Sequence, residues 1–182
     1  MGWFSPVKGS YPSLAQVDKT LPVAAGGEAI KRGTVVALVQ DDTGTSNEGV
    51  FKIASATDTI LYVSLQDYND PTAGFAGTSF DPKGGVPAIN GIDLQQDGEY
   101  ETSVFDTSKT YKVGDKLYVA DGILTNAAAE GATLVGYVTS PAKERWVNNA
   151  IAVPSQEKGA TDPRLAIRTG ANLSVIRFKT AV

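Results

Sequence analysis

Carboxylates are the one plentiful reactive group in this sequence, with 20 Asp and Glu but no His and no Cys among 182 residues. Asp41-Asp42, Asp67/Asp70 and Glu99/Glu101 are close pairs. Glu99 and Glu101 fall on one face of any strand that holds them, as a glycosidase pair would. Such chemistry needs carboxyl groups about 5–9.5 Å apart across a sugar cleft, so acids on the solvent face of a strand are the simpler expectation. Without His or Cys there is no imidazole base, no thiolate nucleophile and none of the usual zinc, copper, haem or iron–sulfur ligand sets. The Asp-rich loops lack the alternating ligands and terminal Glu of a calcium loop. No phosphate-binding glycine loop, dinucleotide turn or nucleophile elbow is present. A Ser–Lys pair stays open by composition, but no spacing singles one out, and the Asn172-Leu173-Ser174 sequon matters only on secretion. The expectation is a protein that is not an enzyme and carries no cofactor and no metal.

The elements around these residues are short and β-rich. Thr34 to Val39, Val50 to Ala54, Ile60 to Leu65, Val86 to Ile89 and Glu99 to Phe105 read as strands. In Lys116 to Val119, Leu117 and Val119 share one face and Lys116 and Tyr118 the other, and Asp121-Gly122 closes a hairpin into Ile123-Leu124. Thr133 to Thr139 follows, with Gly136 as a bulge or close backbone approach. Ala150 to Val153, Leu165 to Arg168 and Leu173 to Lys179 complete the set, while Pro141 to Asn148 reads as a helical turn and Asn90-Gly91 as a tight turn. The expected fold is all-β, a compact barrel or sandwich of about ten short strands. A body over residues 31–182 carries a long loop at 66–85, and residues 1–30, with Pro6, Pro12 and Pro22, form an extended arm. Trp3, Phe4, Tyr11 and Leu14 of the arm and Tyr68, Phe75 and Phe80 of the loop are the candidate partner-binding residues, either packed on the chain's own core or anchored in a neighbour.

Net charge is −4, with the acids concentrated in residues 41–130 and basic residues in excess at both ends. An acidic middle repels a phosphate backbone, so nucleic acid is not expected as a partner. No apolar run approaches the roughly 18 residues that cross a bilayer, so no membrane partner is expected either. The start of the chain shows no charged and apolar leader pattern.

Tyr111-Lys112-Val113-Gly114-Asp115-Lys116-Leu117-Tyr118-Val119, then Asp121-Gly122-Ile123-Leu124-Thr125, then Leu134-Val135-Gly136-Tyr137-Val138 resembles a hairpin run of small β-barrel head proteins of tailed bacteriophages. These are decoration, or capsid cement, proteins. Gly33-Thr34-Val35-Val36 and Ile176-Arg177-Phe178 are also similar, and the likeness covers about a third of the chain. The resemblance implies a structural virion protein on the capsid exterior, made in the host cytoplasm, that binds the major capsid protein and cements neighbouring subunits. It further implies a homo-oligomer, with a trimer ahead of a dimer. The alternatives are a tail or baseplate component and a carbohydrate-binding β-sandwich module. A lipoyl-type carrier is disfavoured because the Asp121-Gly122 hairpin tip has no Lys.

Overall fold

The computed structural model describes residues 4–9, 19–24, 30–44, 46–65, 88–148 and 170–181. They form strands β1 (Phe4–Gly9), β2 (Lys19–Pro22), β3 (Val35–Val39), β4 (Val50–Ile53), β5 (Leu61–Ser64), β6 (Ala88–Asp93), β7 (Gly98–Thr102), β8 (Lys116–Ala120), β9 (Ile123–Thr125), β10 (Leu134–Asn148) and β11 (Gly170–Thr180). No helix occurs among the described residues. One sheet has the order β1-β7-β11-β10-β8-β9 and the other β2-β6-β5-β3-β4, with every strand pair antiparallel. The chain is therefore all-β, as its turn-rich, alternating sequence implies.

The five-stranded sheet curls almost into a barrel. Its two outer strands meet where Val23, just after β2, bridges Phe51 on β4, and the Ala24 N–H donates to the Phe51 carbonyl at 2.8 Å. Inside lie Leu21, Val23, Ile30, Val36, Phe51, Tyr62 and Ile89. The alternate residues of the same strands, Val35, Ala37, Leu61, Val63 and Ile92, face the six-stranded sheet and join Phe4, Tyr100, Phe105, Tyr111, Leu117, Val119, Leu124, Val138, Ile176 and Phe178 in a second core. Both faces of β3 and β5 are thus covered, which explains their nearly unbroken apolar sequence. Phe51 is fully buried against Tyr62, with ring centroids 5.2 Å apart. Replacing Phe51 with Ala is expected to cost about 3–5 kcal/mol, read as a lowered midpoint in urea unfolding.

Local chemistry accounts for the turns. Asp121 (φ 48°) and Gly122 (φ 76°) both adopt left-handed backbone, the requirement of the two-residue turn that joins β8 to β9. Pro6 and Pro22 sit on β1 and β2, which are outer strands where a missing N–H is tolerated. The described pieces of the N-terminal arm are extended, and both pair at sheet edges.

Three local expectations are corrected. Pro141 to Asn148 is not helical but the distal half of β10, where register shifts before and after Ser140 mark bulges that accommodate Pro141. Asn90-Gly91 is not a turn, because it lies within β6. A Cβ on Gly91 would press on Phe51 at 3.1 Å and Tyr62 at 3.2 Å inside the barrel, so glycine leaves these rings room. Glu101 is not solvent-facing, being 1% exposed. The strands expected at 150–153 and 165–168, and the loop at 66–85, lie outside the described residues.

Candidate functional site

Of the acids singled out for possible chemistry Asp41 holds a turn, Asp67 and Asp70 lie outside the described residues, and Asp106 and Asp115 hold turns elsewhere. Asp41 accepts from the N–H groups of Thr43 (2.9 Å) and Ser46 (2.7 Å). Asp106 accepts from the N–H and hydroxyl of Ser108, and these two bonds lower its pKa. Asp115 accepts from the Lys112 N–H and the Asn126 side-chain amide. Each of these short side chains replaces a backbone acceptor in a local turn. Among the described residues no group of three His, Cys, Asp or Glu gathers around a common point.

Asp58 does the same before β5. Burial opposes its ionisation, but the Ser55 N–H and hydroxyl, both at 2.8 Å, and Lys52 at 3.1 Å outweigh it and hold its pKa below the ordinary value. A depressed folded-state pKa stabilises the fold above the unfolded value near 4 and loses that contribution as pH falls through the folded value. Acid unfolding of the wild-type chain is therefore expected to steepen below about pH 4, and Asp58→Asn to flatten that slope in pH-dependent thermal melts. At the other end of the scale, burial, then the charge of Asp106, pushes Tyr111 up to about 12. Its hydroxyl donates to the Asp106 carbonyl at 2.9 Å.

The outer face of the six-stranded sheet holds the main polar cluster. Tyr100 and Thr102 of β7 point into the core, so Glu99 and Glu101 point outward. Arg177 lies directly opposite Glu101 on β11, with nitrogen and oxygen 3.7 Å apart. Arg145 of β10 also ion-pairs with Glu101, reaching across the intervening β11. One Glu101 oxygen, Oε2, takes both arginines, and Oε1 has no hydrogen-bond partner among the described residues. Beside this cluster Glu99 accepts from the Thr139 hydroxyl at 2.7 Å, and Lys179 pairs with Asp97 at 3.3 Å.

Arg145 belongs to a two-stranded ribbon. β8 pairs only with Leu134 to Tyr137 of β10, and β7 only with Ile176 to Lys179 of β11. From Lys143↔Val175 to Asn148↔Gly170 the two strands pair with each other and with no other described strand. At about 3.3 Å per residue these six pairs make roughly 20 Å of two-stranded ribbon, whose first pair holds the fully buried Val175. The two bulges bend the ribbon at its base, and the Arg145–Glu101 ion pair ties it to the body.

Of the residues expected to bind a partner, Phe4 is the one that is described. It is 1% exposed, stacks on Tyr100 with ring centroids 5.1 Å apart, and lies in the chain's own core. Trp3, Tyr11, Leu14, Tyr68, Phe75 and Phe80 lie outside the described residues. The structure adds surface features that sequence reasoning missed: the ribbon, the Glu101 cluster and the exposed ring of Tyr137, 40% accessible. Strict alternation would put Tyr137 on the core face with Val135, and only the register shift between Leu134 and Gly136 turns it outward. A groove of about 230 Å³ opens between the sheets, lined by Leu61, Leu94, Leu134, Val135 and neighbouring polar residues. Among the described residues that line it none is charged.

Comparison with protein-family models, with curated protein sequences and with solved structures gave no match.

Proposed function

We propose that this chain is a structural protein of a tailed-phage virion that binds the outer capsid surface and cements neighbouring capsid subunits. The observation that carries the reading is the ribbon of β10 and β11. From Lys143↔Val175 to Asn148↔Gly170 its backbone is paired only within itself among the described residues, and Val175 and the Arg145–Glu101 ion pair anchor it to the two-core body. An isolated two-stranded ribbon is marginal in water, so a ribbon of this length is suited to lie against another molecule. The run that resembles phage head proteins, from Tyr111 to Val138, forms the β8–β9 hairpin and the base of that ribbon.

Cementing requires no catalytic group. Each copy contributes apolar burial at about 25 cal/mol per Å², less the cost of ordering what it docks, and many copies act together over a shell. The partner is the major capsid protein, and copies gather as a homo-oligomer around a symmetry axis, a trimer ahead of a dimer. The test is to add the purified full-length chain to phage particles of its source that lack it and to sediment them. Stoichiometric co-sedimentation with raised resistance to heat or chelator supports the reading. A chain that stays in the supernatant at micromolar concentration refutes it.

A further inference from the structure

Three large hydrophobic side chains are exposed among the described residues, namely Ile60, Val113 and Tyr137. Two of them, Val113 and Tyr137, lie on neighbouring segments. Tyr137 stands on the outer face of the six-stranded sheet, directly between Lys116 of β8 and Lys179 of β11. Both lysines are exposed, and their alternate neighbours Leu117 and Phe178 are in the core. The turn holding Lys112 and Val113 is bonded to the next residue of β10: the Gly114 N–H donates to the Val138 carbonyl at 2.8 Å, and the Val138 N–H donates to the Asp115 carbonyl at 2.9 Å. Val113 is 68% exposed. The Asp115 carboxylate is taken up by the Lys112 N–H and Asn126, and Lys179 shares its charge with the exposed Asp97.

The result is a row of one exposed ring between two exposed lysines, Lys116 and Lys179, bordered by the turn that carries the exposed Lys112 and Val113, on a chain whose net charge is −4. Exposed apolar groups ringed by charge mark contact surfaces, and an aromatic flanked by cations combines contact area with electrostatic selection. Adjacent strands lie about 4.8 Å apart, so the Lys116–Tyr137–Lys179 row spans roughly 10 Å. That is the scale of two or three acidic side chains on a protein surface. Duplex nucleic acid is disfavoured because Asp97 and Glu99 continue the same face and interrupt the track of cations that a regular phosphate backbone needs.

We infer that Lys112, Val113, Lys116, Tyr137 and Lys179 form a docking patch for an acidic protein surface. The assignment rests on the chemistry of the patch, and it holds whether or not the partner is a capsid.

The test is fluorescence anisotropy of labelled poly-L-glutamate titrated with the full chain at low and moderate salt, with labelled duplex DNA as a second probe. Binding of poly-L-glutamate that weakens as salt rises, falls at least tenfold in K116E/K179E and at least threefold in Y137A, and stays within twofold in the exposed control K31E supports the patch. Circular dichroism melts within a few degrees of wild type confirm that the variants are folded, and K116Q/K179Q gives the same direction without a repulsive charge. Three results overturn it: no binding of poly-L-glutamate at low salt, equal binding by wild type and K116E/K179E, or DNA bound as tightly as poly-L-glutamate. The last would make the face a polyphosphate surface.

Discussion

Replacing Gly136 with Ala is expected to be the most damaging glycine-to-alanine change among the described residues. Gly136 lies opposite Thr180 in the β10–β11 pair, and an added Cβ falls far inside contact distance of the Lys179 carbonyl oxygen, 2.9 Å from its carbon and 3.1 Å from Thr180 Cα. These are backbone atoms, so no side chain can swing aside. The strands must separate where Val135, Val138 and Phe178 fill the core on either side. The expected cost is about 4 kcal/mol or more, against a total stability of about 5–15 kcal/mol for a domain. Gly114→Ala is the control. Its φ is +91° with nothing within 4 Å of the added methyl, so backbone strain alone applies, about 1–2 kcal/mol. Urea unfolding followed by far-ultraviolet circular dichroism separates the two. A G136A midpoint no lower than that of G114A contradicts the close approach.

The second large effect is expected from removing both arginines that serve Glu101. Arg145→Ala with Arg177→Ala leaves a carboxylate that is 1% exposed without a counter-charge among the described residues, where its Oε1 already lacks a hydrogen bond. Stranding a buried charge costs about 3–5 kcal/mol. The lower end applies here, because both guanidinium groups are partly exposed and their pairing is already screened by water. Arg145→Ala alone should cost about 1 kcal/mol, since Arg177 remains, but it should release the ribbon from the body. Hydrogen exchange at residues 143–148 and 170–175 reads that release directly. Glu101→Leu combined with Arg145→Met and Arg177→Met should restore most of the stability, because apolar replacement of a whole buried ion cluster is often neutral or better. If the double alanine variant unfolds with the wild-type midpoint, the cluster does not secure this face.

What was legible in the sequence was what neighbouring residues decide. The β8–β9 hairpin follows from Asp121-Gly122 and from the alternation of Leu117 and Val119 with Lys116 and Tyr118, all within ten residues. Gly136 was recognisable because a glycine inside an apolar strand needs a steric reason. What distant residues decide was not legible. Glu101 looks like half of an exposed acid pair until Arg177 is placed opposite it and Arg145 reaches over β11. Pro141-Ala142-Lys143-Glu144-Arg145 has the composition of a helical turn, but pairing with β11 overrides that preference and bulges absorb the proline. The same holds for function. The rings of the arm and loop drew attention as candidate anchors, yet Phe4 is consumed by the core, and the exposed ring with cationic neighbours is Tyr137. Only the register of β8, β10 and β11 brings Lys116, Tyr137 and Lys179 into one row.

The proposed role as a capsid cement is tested most directly by a cryo-microscopy map of purified particles from the source of this chain, at a resolution that separates strands. The reading requires the two-sheet, all-β body on the exterior of the capsid, in copies with like neighbours around a symmetry axis and with the β10–β11 ribbon lying across a boundary between capsid subunits. Particles whose shells are fully accounted for without this chain, or isolated copies that touch one capsid subunit and no like neighbour, would contradict it.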